Sequence, residues 1–195
     1  MEMAENLRKP GLDVTIIQRS NHLIPPLDFD MAADVHKYIR AQGVTLSLKN
    51  EVTAIRESGN SIMLETQKGT GYTDMVNLSV GVTPDTAFLQ GSGIARNTRG
   101  SIEVTSGMET SVPDIYAVGD AVTVNNYITG LPAFIPLAGP ANKQGRIAAD
   151  NICGLKSEYK GTQSSSVLKI FGYSVRFCQG PRKHDRLCCG KCCHG

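Results

Sequence analysis

The sequence lacks any apolar run that approaches the roughly 18 consecutive residues needed to cross a membrane. Its first residues, Met1 to Leu7, are acidic and contain no basic segment followed by an apolar one, so we expect no signal peptide. Cysteine is scarce before residue 178, where Cys153 stands alone, and a disulfide framework is therefore not indicated. These absences predict a cytoplasmic protein with no membrane partner.

Charge and cysteine both concentrate at the C-terminal end. From Lys156 onward eight basic residues outnumber two acidic ones, a net +6, which leaves −4 for the rest of a chain whose total is +2. This end has no recognisable nucleic-acid-binding motif, and we expect a solvated tail rather than a nucleic-acid partner. Cys189, Cys192 and His194 leave zinc binding as an alternative. Zinc sites usually have two spaced ligand pairs around a folded segment, so no metal ligand is assigned.

The first 80 residues alternate between helix and strand patterns, which predicts an α/β fold. Pro10-Gly11 closes the first helix, and the apolar positions of the second helix share one face. The predicted helices are residues 2–9 and a segment from Asp28 or Asp30 to about Gln42, with Ala32, Val35 and Ile39 on its apolar face. The predicted strands are Val14–Ile17, expected to be buried, then residues 44–48, 51–56 and 61–66, and finally Met75–Val80.

The string T-S-V-P-D-I-Y-A-V-G-D-A, residues 110–121, is the most informative part of the chain. It predicts a loop, a short buried strand over residues 115–118, and then Gly119-Asp120 at the carboxyl end of that strand. Doubly wound α/β sheets place ligand-binding groups at this end. A glycine there allows a ligand to approach the backbone, and a carboxylate accepts hydrogen bonds from ligand hydroxyls.

A second string, I-P-L-A-G-P-A-N-K-Q-G-R from residue 135 to 146, predicts the start of a helix that runs to about Cys153 and ends at Gly154. Proline is well suited to the first turn of a helix. The N-terminus carries free N–H groups and partial positive charge, which favour a negatively charged ligand. The alternative interpretation is a helix of small residues that packs on a sheet.

Together the two strings resemble the second flavin-binding segment of the pyridine nucleotide-disulfide oxidoreductases. The run P-L-A-G-P-A-N-K-Q-G-R-I-A-A-D-N-I and the later Gly161-Thr162-Gln163 are similar to the coenzyme A-disulfide reductase and NADH oxidase branch. The resemblance covers about residues 1–171 and implies FAD as a cofactor. By resemblance, Asp120 holds the ribitol chain. The implied FAD-binding residues are Gly119, Asp120, Ala121, Pro136, Leu137 and Ala138.

The same resemblance implies a partial architecture of two Rossmann-like dinucleotide-binding domains. Residues 1–81 resemble the C-terminal part of the NAD(P)-binding domain, residues 82–155 the second segment of the FAD-binding domain, and residues 156–195 the start of a dimerisation domain with a divergent tail. Gln18, Arg19 and Gly81 are the implied NAD(P)H-binding residues. An acid after the second strand would favour NAD and an arginine accommodates a 2′-phosphate, whereas Gln18 also suits an ordinary strand end. NADH and NADPH both stay open.

In the family, hydride passes from NAD(P)H to FAD and then to a small-molecule disulfide, a peroxide or oxygen, in a homodimer. No cysteine of this chain matches the redox position, so no catalytic residue is assigned, and Cys153 is expected to be a small buried residue. The chain resembles a fragment without the first FAD segment and the G-x-G-x-x-G turn, which predicts low stability and weak cofactor retention. The alternative function is a non-catalytic dinucleotide-fold fragment that binds nucleotide or a partner chain without turnover.

Overall fold

A computed structural model describes residues 1–177 of the chain. No helix among these residues is long and apolar enough to span a membrane. The α-helices of the described part are α1 (Glu2–Arg8), α2 (Phe29–Ala41) and α3 (Ala138–Ile152). Its strands are β1 (Thr15–Gln18), β2 (Thr45–Leu48), β3 (Val52–Ser58), β4 (Ser61–Thr66), β5 (Gly69–Thr73), β6 (Ile102–Glu103), β7 (Val122–Asn125), β8 (Pro132–Phe134), β9 (Ser166–Ile170) and β10 (Tyr173–Phe177).

The described residues divide into two compact units. Residues 1–79 and 165–177 belong to the first unit, and residues 80–164 form most of the second. The second unit is therefore inserted into the chain of the first. The domain boundaries drawn from the family resemblance stay a prediction.

Helix α2 supplies the centre of the first unit. Its predicted apolar face is confirmed, because Ala32, Val35 and Ile39 are each at most 2% exposed and lie in one hydrophobic cluster. The helix begins after Asp28, as expected, but the Asp28 side chain makes no capping hydrogen bond. It ends before Gly43, whose φ of +80° is a conformation that suits glycine.

The strands of the first unit form three small sheets. Strands β1 and β2 are parallel, β3, β4 and β5 form an antiparallel meander, and β9 pairs with β10 as an antiparallel hairpin. The predicted burial of Val14–Ile17 is wrong, since Val14, Ile16 and Ile17 are only half-buried. A parallel strand becomes fully buried when both faces of its sheet are covered, and among the described strands β1 pairs with β2 alone.

The β9–β10 hairpin was not expected from the sequence, which shows little apolar periodicity after Phe171. Ile170 and Val175 nevertheless lie in the core of the first unit, 1% and 2% exposed. The Phe171 N–H donates to Glu5 Oε2 on α1 over 2.6 Å. The Gly172 N–H donates to the Tyr38 hydroxyl over 3.1 Å. Hydrogen bonds thus hold the hairpin to α1 and to α2. They join residues far apart in sequence, so the local pattern of apolar and polar residues does not predict them.

In the second unit, β6 runs parallel to β7 and β7 is antiparallel to β8. A hydrophobic cluster gathers around these strands and α3, and its buried members are Ile102, Met108, Val122, Val124, Ile135, Ala148 and Tyr159. Helix α3 agrees closely with the predicted helix up to Cys153. The strands of this unit therefore lie beside the helix that follows them in sequence.

Two predicted strands are absent from residues 1–177. Residues 115–118 contribute only one bridge, between Tyr116 and Glu109, and Ile115 and Val118 are 42% and 38% exposed rather than buried. Residues 75–80 form no ladder, and Leu78 is 68% exposed. Both segments have apolar strand-like sequences, but a strand also needs a partner with free backbone groups. In the described part of the chain neither segment has a continuous partner.

Candidate functional site

Gly119, Asp120 and Ala121 form a single 3₁₀ turn that follows the extended residue Val118. Gly119 has a φ of +81°, which residues with a Cβ atom adopt only at a cost in free energy. The Asp120 side chain is exposed, and no residue of the described chain forms a hydrogen bond or ion pair with it. The turn therefore presents a solvated carboxylate that is available to accept hydrogen bonds.

Helix α3 begins without a side-chain cap. Leu137, the residue before the helix, is extended with φ −135° and ψ 138°, and the first turn contains no acidic residue. Ala138 and Gly139 follow, and their N–H groups precede the first intrahelical bond, which the Ala141 N–H donates to the Leu137 carbonyl over 3.1 Å. Pro140 has no N–H to satisfy. The helix start therefore offers free donors and partial positive charge.

A buried glutamine joins the 3₁₀ turn to α3. The Gly119 N–H donates to Gln144 Oε1 over 2.7 Å, and Gln144 is only 1% exposed. A Cβ atom added at Gly119 would lie 3.9 Å from the Cβ of Ala141, one turn nearer the start of the helix. The structure therefore brings two predicted groups of residues onto neighbouring segments of one unit. These groups are Gly119, Asp120 and Ala121 in the turn, and Pro136, Leu137 and Ala138 at the helix start.

Gln144 is a site residue that the sequence motifs do not predict. Its signal was present in the spacing of Ala141, Gln144 and Ala148, which places the glutamine on the same helix face as small residues. A polar residue on such a face requires a hydrogen-bonding partner when it is buried.

The residues predicted to bind NAD(P)H do not all lie in one unit. Gln18 and Arg19 end β1 in the first unit, where Gln18 Oε1 accepts the Arg19 N–H over 3.0 Å. Arg19 is exposed, and its Nη1 lies 3.8 Å from Glu51 Oε1. Gly81 belongs to the second unit and has a φ of +102°, with no atom within 4 Å of an added Cβ.

Cys153 is exposed, so its predicted burial is wrong. It lies just after α3, where its N–H still donates to the Ala149 carbonyl over 3.0 Å, and the neighbouring Ile152 is 64% exposed. The last buried residue of α3 is Ala148, so Cys153 lies beyond the part of the helix that packs into the core. Residues 1–177 contain no group of three or more metal-ligating His, Cys, Asp or Glu side chains. The alternative zinc ligands Cys189, Cys192 and His194 lie outside the described residues.

An uncapped helix start beside a Gly-Asp turn, in a chain of α/β composition, is typical of dinucleotide-binding proteins. Comparison with known families agrees: residues 1–145 match the family model described as pyridine nucleotide-disulphide oxidoreductase. The chain belongs to the pyridine nucleotide-disulphide oxidoreductase family. The predicted α/β, Rossmann-like class is confirmed by this match and by the similar solved structures.

Three relatives illustrate the similarity. Coenzyme A disulfide reductase of Staphylococcus aureus is 34% identical over 175 residues, which are 89% of this chain and 39% of the relative. The reduced CoADR-RHD protein of Bacillus anthracis is 41% identical with a TM-score of 0.86, over 92% of this chain and 32% of that one. The water-forming NADH oxidase of Lactobacillus brevis, solved with NADH, is 32% identical with a TM-score of 0.86, and the match covers 91% of this chain and 39% of that one. The chain thus spans about two fifths of the length of the curated relatives that it matches.

Proposed function

We propose that this chain is part of an FAD-dependent NAD(P)H oxidoreductase. In the complete protein, hydride would pass from NAD(P)H to FAD and then to a disulfide, a peroxide or oxygen. The observation that carries the proposal is that the Gly119–Ala121 turn lies beside the first two turns of α3, whose start is uncapped, within one unit. Family membership and the printed activities of the relatives support the same reaction class.

The residues of the second unit fit FAD chemically. The exposed Asp120 carboxylate suits the hydroxyl groups of a ribitol chain, because charge-assisted hydrogen bonds are the stronger kind. Gly119 has no side chain to block the approach of a ligand. Pro136, Leu137 and Ala138 lead into a helix start that favours negative charge. When bound, FAD supplies the hydride-accepting chemistry, while these residues bind and orient it.

The first unit offers groups suited to a nicotinamide nucleotide. Gln18 and Arg19 at the end of β1 are proposed to contact the adenosine ribose, and Gly81 to allow close approach of the chain to the nicotinamide. The exposed Arg19 guanidinium suits a 2′-phosphate, and its 3.8 Å separation from Glu51 is a loose ion pair that a phosphate can displace. A comparison of NADPH with NADH tests this role directly.

The acceptor and the assembly are proposals drawn from the relatives. The Staphylococcus protein is named a disulfide reductase and the Lactobacillus protein a water-forming oxidase, which supports a disulfide or oxygen as acceptor. The complete protein is proposed to be a homodimer, with residues 156–195 as the start of its dimerisation domain. Residues 1–81 and 82–155 are proposed as parts of the NAD(P)- and FAD-binding domains.

An FAD titration of the purified chain tests the proposal, with flavin fluorescence and the visible spectrum as readouts. We expect saturable binding whose Kd rises at least about tenfold in Asp120→Ala, since a hydrogen bond to a charged group contributes about 1.5–3 kcal/mol. Asp85→Ala is the matched control, because Asp85 is also an exposed acid of the second unit. An equal effect of both substitutions, or no binding by the unsubstituted chain, would contradict the proposal. Binding of FAD without reduction by NADH or NADPH would favour the non-catalytic alternative.

A further inference from the structure

We propose that Gln144 is a positioning residue that fixes the distance between the two halves of the flavin site. This inference rests on the proposed function, because it assigns a role within the same site. The one hydrogen bond of the Gln144 side chain within the described residues is accepted from the backbone N–H of Gly119, so it acts on the turn through that backbone. Its role is therefore distinct from that of a residue in contact with the cofactor.

The hydrogen bond determines the orientation of the glutamine side chain. A backbone N–H can only donate, so the atom that lies 2.7 Å from Gly119 N must be Oε1 rather than Nε2. The two hydrogens of Nε2 find no acceptor among residues 1–177. The carboxamide therefore forms one short bond to the turn, and its orientation cannot reverse without losing that bond.

Burial makes this single bond important. Gln144 is 1% exposed on a helix face that it shares with the buried Ala148, a position where an apolar residue would satisfy packing without a polar partner. If the acceptor were removed, the Gly119 N–H would lose its partner next to this buried face. Such an unpaired donor costs more free energy than an exposed one. The turn would then be expected to shift to find a new acceptor.

The geometry of Gly119 converts such a shift into a change at Asp120. Gly119 has a φ of +81°, and a Cβ atom added to it would lie 3.9 Å from the Cβ of Ala141, so the turn lies beside the first part of α3. Asp120 is the next residue in the turn. A movement of Gly119 away from the helix would change the distance between the Asp120 carboxylate and the helix start, the two groups proposed to hold one FAD molecule.

Substitutions at residue 144 can distinguish the effect of losing the hydrogen-bond acceptor from the effect of changing the side-chain volume. Gln144→Met keeps the length of the side chain but removes the acceptor, whereas Gln144→Glu keeps an acceptor whether its carboxyl is charged or neutral. Gln163→Met is the matched control, because Gln163 is exposed in the same unit and forms no hydrogen bond within the described residues. Three quantities would be measured for each protein: the exchange rate of the Gly119 amide hydrogen by NMR without FAD, the Kd for FAD, and the Tm.

We expect Gln144→Met to increase the Gly119 exchange rate and the FAD Kd by about tenfold each, the ratio that corresponds to roughly 1.4 kcal/mol for a lost hydrogen bond. Gln144→Glu should restore both values to within about threefold of the unsubstituted chain, and Gln163→Met should change neither. A merely structural role would lower the Tm of the Met and Glu variants alike and would show no such rescue.

Two results would overturn the positioning role. One is unchanged Gly119 exchange in Gln144→Met, which would mean that the hydrogen bond does not hold the turn. The other is faster exchange with an unchanged Kd for FAD, which would mean that the turn does not need to be held. Failure of the unsubstituted chain to bind FAD is a different outcome: it would overturn the proposed function and the flavin role together, while the Gly119 exchange rate would still report the hydrogen bond.

Discussion

Replacement of Gly161 by alanine should destabilise the second unit strongly, because this glycine lies against the backbone of a neighbouring strand. An added Cβ would come 2.5 Å from the Asn125 carbonyl oxygen and 3.4 Å from Tyr127 N. The neighbouring atoms belong to backbone that is held by hydrogen bonds, since the Tyr127 N–H donates to the Thr162 carbonyl over 2.8 Å. They cannot move aside as the end of a flexible side chain would.

Two costs contribute to the expected effect. Gly161 has a φ of +97°, and holding a residue with a Cβ atom in this conformation lowers the free energy of unfolding by about 1–3 kcal/mol. Relief of the steric overlap costs about another 1–3 kcal/mol, as for overpacking in a core. Gly154→Ala is the matched control, because Gly154 also has a positive φ, +81°, but no atom lies within 4 Å of its added Cβ. The control should therefore cost only about 1–2 kcal/mol.

Urea unfolding followed by far-ultraviolet circular dichroism measures both variants, since the chain has no tryptophan to report by fluorescence. We expect Gly161→Ala to lower the free energy of unfolding by at least about 1 kcal/mol more than Gly154→Ala does. Equal losses in the two variants would refute the close approach of residue 161 to β7. The cost would then come from backbone conformation alone.

Two further predictions concern the first unit. The Glu5 carboxylate accepts hydrogen bonds from Lys9 Nζ over 2.7 Å and from the Phe171 N–H, and these contacts lower its pKa below 4.5. Glu5→Gln should therefore lower the free energy of unfolding by about 1–2 kcal/mol at neutral pH. Urea unfolding should show this difference shrinking as the pH falls below 4.5. His36 Nε2 accepts the Leu23 N–H over 3.0 Å, and burial lowers the His36 pKa. The contribution of the neutral His36 side chain to the free energy of unfolding is therefore complete above pH 6.5 and is lost as the pH falls through the lowered pKa. Thermal unfolding between pH 7 and 5 should be less pH-dependent in His36→Gln than in the unsubstituted chain, and equal slopes would contradict this assignment.

The helices were predictable from sequence because their hydrogen bonds are local. The sequence predicts a helix over residues 2–9 that Pro10-Gly11 closes, and α1 occupies Glu2–Arg8. The second predicted helix ends at about Gln42, and α2 ends at Ala41. The apolar face of α2 followed directly from the three- and four-residue spacing of its apolar side chains. In each case, residues close together in sequence supply both the structure and its signal.

The strands and the site geometry depended on residues far apart in sequence. Residues 115–118 have a strand-like composition, yet their pairing depends on what lies beside them, and Tyr116 forms only a single bridge. The hydrogen bond between Gly119 and Gln144 joins residues that are 25 positions apart, so neither string alone could predict it. The two strings identified the segments that meet at the candidate site, whereas the contact that joins them became visible only in the folded chain.

The insertion of the second unit into the chain of the first also sets an order of events during synthesis. All residues of the second unit's main segment, 80–164, emerge from the ribosome before Ile170 and Val175, which complete the core of the first unit. At a translation rate of about 5–20 residues per second, α2 waits several seconds with part of its apolar face uncovered. The unit whose helices are synthesised before residues 80–164 is thus completed after them, and during that interval the uncovered apolar face of α2 is a surface that a chaperone can bind.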